Sequence, residues 1–198
     1  MIKCEYKGGL FILNHRDFQS LNSKNFGKKE GKLYTLDIYE AVYLCEKEKI
    51  QILKSNKEIC FDEISKMKKF NFLNYIIYKD LKSKGYNVKS GIKYGSTFRV
   101  YNKGVKEEKE HSLWLVEPIF DNEKLKMKDM AGKNRIAHST NKVTLFAIVD
   151  SENSVTYIEA NWKKMWFWRS AYGLEHRARL LLKEDFIFKF FFRWFRII

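Results

Sequence analysis

The sequence has little proline, little cysteine and no long apolar run, and each shortage excludes a class of protein. One proline in 198 residues, with 45% hydrophobic content, excludes a disordered or proline-rich chain. Three cysteines without a C-x-x-C pair predict neither a disulfide framework nor a zinc site, and they favour the reducing cytoplasm. There is no run of 18 apolar residues and no signal-peptide pattern, so neither a membrane span nor export is expected.

Acidic residues are also scarce relative to basic ones. The chain has 24 Asp and Glu against 38 Lys and Arg, which gives a formal net charge of +14. A globular protein this basic usually meets a polyanion, either nucleic acid or an anionic membrane surface. Its length is sufficient for one or two domains with a sizeable core.

Apolar periodicity predicts an α+β fold with a first domain over residues 1–66 and a second over 67–161. In the first, GLFILN and IQILK read as strands, and a helix carries Ile38, Ala41 and Val42 on one face, with Thr35 as its cap. In the second, the helix in FNFLNYIIYKDLKSKG should end at Gly85. Five strands follow: YNVKS, TFRVY, SLWLVEP, VTLFAIVD and SVTYIEA. The run VTLFAIV is nearly continuous in apolar residues, which predicts a central strand that is buried on both faces. The roughly 25 residues between SLWLVEP and VTLFAIVD predict a long functional loop.

Residues 162–198 form an extension that differs from the rest of the chain. It contains four of the five tryptophans and seven of the sixteen phenylalanines, and it carries a net charge of +6. Its last segment, FIFKFFFRWFRII, is too short and too charged to cross a membrane. It could lie in an interface, pair with a partner, promote aggregation or be a translation artefact, and the sequence leaves these readings open.

Several separate blocks of the second domain resemble one family. The blocks are YIIYKDLKSKGYNVKSGIKYGSTFRVY, KEHSLWLV, RIAHSTNKVTLFAIVD and SVTYIE. In this order and spacing they closely resemble the archaeal tRNA-intron splicing endonucleases. NFGKKEGKLYTLDIYEAVYL extends the resemblance into the first half, so it covers roughly residues 8–160. It implies a small N-terminal α/β domain followed by a catalytic domain with a central mixed β-sheet flanked by helices.

The resemblance implies a catalytic triad of Tyr101, His111 and Lys142. RNA cleavage without a metal needs a base for the 2′-hydroxyl proton, an acid for the departing 5′-oxygen and a cation for the charged phosphorane. In the family these roles fall to the tyrosine, the histidine and the lysine, in that order. A tyrosine has an ordinary pKa of about 10, and a nearby ammonium favours its phenolate. Without the resemblance, each residue would be an ordinary packing or surface side chain. Neither a metal nor a cofactor is expected.

Further residues are candidates for RNA binding. Arg135 stands seven residues before Lys142, where the family has an arginine that clamps an extruded base, although a plain phosphate contact would also explain it. The family's second clamping cation has no assigned counterpart, and Tyr157 stands near the aligned position. His138 is expected to serve the core or a hydrogen bond. Other candidate RNA contacts are Lys93, Lys163 and Lys164.

The resemblance implies excision of introns from precursor tRNA at bulge-helix-bulge sites, leaving 2′,3′-cyclic phosphate and 5′-hydroxyl ends. Two scissile sites suit a two-fold assembly, so a homotetramer is expected, or alternatively a heterotetramer with a structural subunit. The segment from Glu117 to Lys133 matches an acidic docking loop of the family, although lysines interrupt it here. The residue before the catalytic lysine is often arginine in the family, and here it is Asn141. The alternatives are a non-catalytic basic RNA-binding subunit and a metal-dependent restriction-type nuclease, for which no D…E-x-K pattern is evident.

Overall fold

The first half of the chain forms a six-stranded mixed sheet with three helices. The computed structural model describes residues 1–59, 61–105 and 110–163. The strands run in the order β3-β4-β2-β1-β5-β6, with β1 and β5 parallel and the other neighbours antiparallel. The elements are β1 (Ile2–Lys7), β2 (Leu10–Leu13), α1 (His15–Asn22), β3 (Lys28–Glu30), β4 (Leu33–Leu36), α2 (Ile38–Glu46), β5 (Ile50–Lys54), β6 (Lys57–Glu58) and α3 (Phe61–Ser65).

The second half forms a five-stranded mixed sheet in the order β11-β10-β9-β8-β7, in which only β9 and β10 are parallel. Its elements are α4 (Phe72–Ser83), β7 (Asn87–Ser90), a 3₁₀ helix (Ile92–Tyr94), β8 (Phe98–Tyr101), β9 (Trp114–Phe120), α5 (Met127–Ser139), β10 (Val143–Val149) and β11 (Val155–Ala160). Parallel neighbours need a crossover connection, and α5 supplies it between β9 and β10. The predicted α+β class with a mixed sheet flanked by helices is confirmed.

The two helices α4 and α5 cover opposite faces of the second sheet. The face on which α4 packs carries Val100, Val116 and Ala147, which belong to the same hydrophobic core as the buried residues of α4. Leu115 and Phe146 are buried on the other face, which α5 covers. The nearly continuous apolar run VTLFAIV forms β10, which lies between β9 and β11 as predicted for an interior strand.

The predicted long loop before VTLFAIVD is wrong, because most of it is the 13-residue helix α5. Its sequence, MKDMAGKNRIAHS, buries only Ala137, so it lacks the apolar stripe that would have marked a helix. The Glu117 carboxylate lies in β9 rather than in a loop, and the irregular connection spans only residues 121–126. This part of the chain therefore differs from the acidic docking loop expected of it.

Local signals decide how the helices begin and end. Asp37 rather than Thr35 caps α2, because the Asp37 carboxylate accepts from Tyr39 N at 3.0 Å while Glu40 bonds back to Asp37 N at 3.2 Å. The predicted Thr35 cap is wrong by two positions. Gly85 ends α4 as predicted, with φ of +87°. Glycine adopts this left-handed conformation without steric cost.

Aromatic rings and one buried ion pair join the two halves. The ring of Tyr39 in α2 lies 5.4 Å from that of Phe98 in β8 and 6.1 Å from that of Tyr78 in α4, measured between centroids. The Lys89 ammonium in β7 donates to the buried Glu40 carboxylate at 2.8 Å. The two sheets therefore share one continuous core.

Residues 164–198, which make up most of the predicted extension, lie outside the described residues. Trp162 and Lys163 are described and follow directly from β11. Within the described ranges, no helix combines the length and the apolar character that crossing a bilayer requires.

Candidate active site

Three neighbouring strand ends meet at one edge of the second sheet. The antiparallel strand β8 ends there at Tyr101, while the parallel strands β9 and β10 begin there. Leu113 lies between them, because its N–H donates to Val100 O at 2.9 Å and its carbonyl accepts from Val143 N at 2.9 Å. Continuing this register puts Tyr101 and Lys142 on either side of Leu113. Since adjacent strands are about 4.8 Å apart, the two backbones are about 10 Å apart, within reach of long side chains.

The side chains of Tyr101 and Lys142 project from the same face of the sheet. Arg99 and Thr144 both pair with Leu115, so these three residues share a face. Tyr101 lies two residues after Arg99, and Lys142 lies two residues before Thr144. Because side chains alternate along a strand, both candidates lie on the face that α5 covers. The tertiary structure thus brings together two residues that are far apart in sequence.

Tyr101 is almost completely buried, with 2% of its surface exposed. The guanidinium carbon of Arg99 lies 5.7 Å from the centroid of its ring. Arg99 therefore contributes a cation–π contact to the packing of this ring.

The turn after α5 determines where Lys142 lies. Lys142 N donates to Ala137 O at 2.8 Å and Asn141 N donates to His138 O at 3.1 Å, which is the Schellman pattern of a helix end. This pattern requires a left-handed residue, and Asn141 supplies it with φ of +54°. The asparagine that departs from the family's frequent arginine is thus suited to end the helix immediately before the candidate lysine.

Two groups in the described part of the chain lie close to the ammonium of Lys142. It donates to Thr140 O at 3.0 Å and lies 4.8 Å from the centroid of the Tyr94 ring. None of the carboxylates in the described parts of the chain lies within 4.0 Å of it. Among the residues that the structure describes, its positive charge is therefore held in place without being paired to a negative one.

His111 lies two residues before Leu113, in the extended segment that leads into β9. Its side chain is exposed and makes no hydrogen bond or ion pair with the described residues. The imidazole therefore belongs to the same edge of the sheet and is accessible to a substrate.

The predicted RNA-binding residues are distributed around this edge. Arg135 is exposed on α5, and Lys93 is exposed on the 3₁₀ helix beside Tyr94. Lys163 is exposed just after β11, whereas Lys164 lies outside the described residues. Tyr157 faces α4, where its hydroxyl donates to Asp80 Oδ2 at 2.7 Å. Tyr157 is therefore on the wrong face of the sheet to supply the second clamp.

An exposed aromatic pair at the same edge was missed by the sequence reasoning. Ala160 of β11 pairs with Thr144, so continuing the register sets Trp162 beside Lys142. The Trp162 ring, 39% exposed, stacks on that of His138 with centroids 6.4 Å apart and an interplanar angle of 24°. His138 is exposed rather than in the core, so the core role, one of the two predicted for it, is wrong. A sequence-based prediction could have located Trp162 by pairing the last two strands as an antiparallel hairpin and continuing that pairing two residues past Ala160.

An ion pair attaches α5 to the sheet next to the site. Lys133 of α5 donates to the buried carboxylate of Glu117 in β9. Burial raises the pKa of Glu117 above its usual value, and Lys133 opposes this effect. A very small cavity of about 10 Å³ lies beside the pair and is lined in part by Tyr94 and Thr144. The pair holds α5, which presents Arg135 and ends at Ser139, three residues before Lys142.

Within the residues that the structure describes, no group of three or more His, Cys, Asp and Glu side chains is arranged to hold a metal ion. What the edge does present is a phenol, an imidazole and an ammonium, in a chain with a net charge of +14. Side chains of these types can transfer protons or stabilise negative charge, and a basic chain suits a nucleic-acid partner.

Comparison with known proteins agrees with these features. Models of the tRNA intron endonuclease family match the chain twice, with the N-terminal domain over residues 3–65 and the catalytic C-terminal domain over residues 71–157. The tRNA-splicing endonuclease of Pyrococcus abyssi is 40% identical over 151 residues, which cover 74% of this chain and 86% of that protein. The tRNA-splicing endonuclease of Thermococcus kodakarensis is 40% identical over 148 residues, which cover 72% and 86%. The chain therefore belongs to the tRNA intron endonuclease family and has both of its domains.

Proposed function

We propose that this protein is a tRNA-splicing endonuclease that cuts intron-bearing precursor tRNA at bulge-helix-bulge sites. The observation that carries the proposal is the meeting of three strand ends, with Tyr101 and Lys142 on either side of Leu113 and His111 two residues before it. All three candidate catalytic residues lie within the segment that matches the family's catalytic domain. We expect the enzyme to act in the cytoplasm.

In the proposed mechanism the Tyr101 phenolate takes the proton from the 2′-hydroxyl at the scissile phosphate. The 2′-oxygen then attacks phosphorus, and the Lys142 ammonium stabilises the additional negative charge of the phosphorane. The bond from phosphorus to the 5′-oxygen breaks as His111 donates a proton to that oxygen. The products are a 2′,3′-cyclic phosphate and a 5′-hydroxyl, and no metal takes part.

The burial of Tyr101 sets a condition on this mechanism. With 2% of the residue exposed, the ring is fixed by its surroundings, and only a small part of it is accessible. The proposal therefore requires that RNA binding bring the ribose to the phenol oxygen or move the groups that cover it. His111 and Lys142 need no such change, since the first is exposed and the second is half-buried.

An extruded base of the bulge would be held between Arg135 and the ring of Trp162. Guanidinium planes and indole rings both stack on bases, and such stacking holds unpaired nucleotides. Support comes from the position of Trp162 at the sheet edge beside Lys142 and from the exposure of both side chains. Phosphate contacts would come from the exposed Lys93 and Lys163, and they would make binding depend on salt.

Two scissile sites in one substrate favour an assembly with two-fold symmetry, and we propose a homotetramer. A heterotetramer with a structural subunit would give the same symmetry. Mass measurement of the purified chain separates the two, because the first assembly needs no other protein.

The test of the function is a single-turnover assay with purified chain and an intron-bearing precursor tRNA. Magnesium is replaced by spermidine and EDTA is added, so that the RNA stays folded without a divalent metal. We expect cleavage at both intron boundaries with cyclic phosphate ends. Loss of all cleavage under these conditions, on correctly folded RNA, would contradict the mechanism. Tight binding without cleavage, with or without magnesium, would indicate an RNA-binding subunit instead.

Two substitutions test the assigned residues. Tyr101→Phe removes one oxygen from a buried ring and should abolish the base without changing the packing. Lys142→Ala should slow cleavage strongly while precursor tRNA still binds. Wild-type rates in either variant, with chemistry shown to limit the rate, would overturn the corresponding assignment.

A further inference from the structure

The neighbours of the Lys142 ammonium indicate a residue that holds it. The ammonium lies 4.8 Å from the centroid of the Tyr94 ring and donates one hydrogen bond to Thr140 O at 3.0 Å. An ammonium has three N–H donors, so two have no acceptor among the described residues and can serve a substrate. A cation over an aromatic ring is attracted by the ring's negative face, without a strong acceptor that would compete with phosphate. A carboxylate in the same position would also hold the lysine, but it would cancel the charge.

The loop that carries Tyr94 is closed by its own backbone. Tyr94 N donates to Gly91 O at 2.8 Å, and Gly91 N donates to Thr97 O at 3.0 Å. A Cβ added at Gly91 would lie 2.3 Å from Ser96 Oγ and 2.8 Å from the carbonyl carbon of Phe98, so no larger residue fits there without a shift. The glycine-rich segment is therefore not an open turn. It is a fixed support that presents the ring of Tyr94 to Lys142.

We propose that Tyr94 is a positioning residue that holds the Lys142 ammonium toward the scissile phosphate through its aromatic ring. The inference rests on the proposed catalytic role of Lys142 and adds to it. The ring keeps the lysine in one orientation and leaves its full charge available to the phosphorane. Its contribution should therefore appear in the chemical step and depend on the ring rather than on the hydroxyl.

Three variants separate this role from a general effect on the loop. Tyr94→Leu removes the ring, and the single-turnover cleavage constant should fall by about 2- to 30-fold, the range of a cation–π contact. Tyr94→Phe keeps the ring and should restore most of the rate. Ile92→Ala alters an 80% exposed neighbour on the same 3₁₀ helix and should leave the rate unchanged. Affinity for precursor tRNA and thermal unfolding are measured for all three.

The decisive measurement varies the electron density of the ring. Phenylalanine and its mono-, di- and trifluorinated forms, incorporated at position 94, weaken the cation–π attraction stepwise with little change in shape. The logarithm of the cleavage constant should fall in step with fluorination, while affinity for the RNA stays constant. In the Lys142→Ala background, Tyr94→Leu should cause no further loss.

The possible results distinguish the two proposals. If Lys142→Ala cleaves at the wild-type rate, the proposed role of the lysine fails first. If Lys142→Ala is defective but the fluorinated series is flat, or Tyr94→Leu acts independently of Lys142, the inference about Tyr94 fails and the function stands. Equal losses in Tyr94→Leu and Tyr94→Phe would also overturn it, because they would point to the hydroxyl.

Discussion

Replacing Glu40 with glutamine should strongly destabilise the fold. The Glu40 carboxylate is buried and accepts hydrogen bonds from Gly27 N at 2.9 Å, Asp37 N at 3.2 Å and the Lys89 ammonium at 2.8 Å. Glutamine has nearly the same shape, but its amide group must turn a donor toward at least one of these donors. It also leaves the Lys89 ammonium, whose side chain is 12% exposed, without its negative partner.

The contacts of the two partners indicate the magnitude. Removing one partner of a buried ion pair typically costs about 3–5 kcal/mol. Lys89 keeps one hydrogen bond, to Gly27 O at 3.0 Å, so we expect the lower end, about 3 kcal/mol. For a chain of this length that corresponds to a fall in melting temperature of about 6–12 °C. Lys89→Met should cost less, about 2 kcal/mol, because Glu40 keeps its two backbone donors.

The assay is thermal and urea unfolding of the two single variants and the double variant. Glu30→Gln is the control, since Glu30 pairs with Lys28 at 2.9 Å but both side chains are about half exposed. Such surface pairs contribute about 0–1 kcal/mol. A fall in melting temperature of less than about 3 °C for Glu40→Gln would refute the reasoning, as would a larger effect of Lys89→Met.

His111→Ala should slow cleavage by about 10²–10⁴-fold and leave RNA binding and melting temperature nearly unchanged, because the side chain is exposed. On a substrate with sulfur in place of the bridging 5′-oxygen, His111→Ala should recover much of its rate, because a thiolate leaves without a proton, and Tyr101→Phe should not. Equal defects of His111→Ala on the oxygen and sulfur substrates would exclude the acid role. Trp162→Ala should weaken binding of an uncleavable precursor tRNA by about 5- to 100-fold, whereas Phe120→Ala, equally exposed at 39% on the opposite edge of the sheet, should not. Burial lowers the pKa of Lys82 from 10.5 to about 8. The folded protein therefore holds the Lys82 proton less tightly than the unfolded chain does, and the resulting cost is present below pH 8 and disappears as the pH rises toward 10.5. Lys82→Met should accordingly stabilise the protein at pH 7, by at most about 3 kcal/mol, and less at pH 9.5; a gain that does not shrink with pH would contradict this.

The sequence by itself determined the strands of the second sheet and the end of α4. Alternation of apolar and polar residues marks a half-buried strand locally, and the apolar run of β10 marks a strand between two neighbours. Gly85 could be assigned because only glycine adopts φ of +87° without strain. These features depend on a few adjacent residues, so the sequence contains all that is needed to predict them.

Elements with little local signal were found only in the structure. α5 buries a single alanine, and the three residues of β3 are all exposed, so neither shows the periodicity of its type. Their conformation is favoured by tertiary partners instead. Lys133 binds Glu117 on the sheet beneath α5, and β3 pairs with β4.

The candidate site divides in the same way. Tyr101, His111 and Lys142 could be named from the sequence because their surrounding blocks resemble the family's. Their meeting at one edge depends on which strands are parallel and in which register they pair, and strand pairing joins residues that are far apart along the chain. The same register decided that Tyr157 faces α4 and that Trp162 lies beside Lys142. The contact of Tyr94 with the Lys142 ammonium arises from the packing of a closed loop against the turn after α5, and no local pattern in the sequence encodes it.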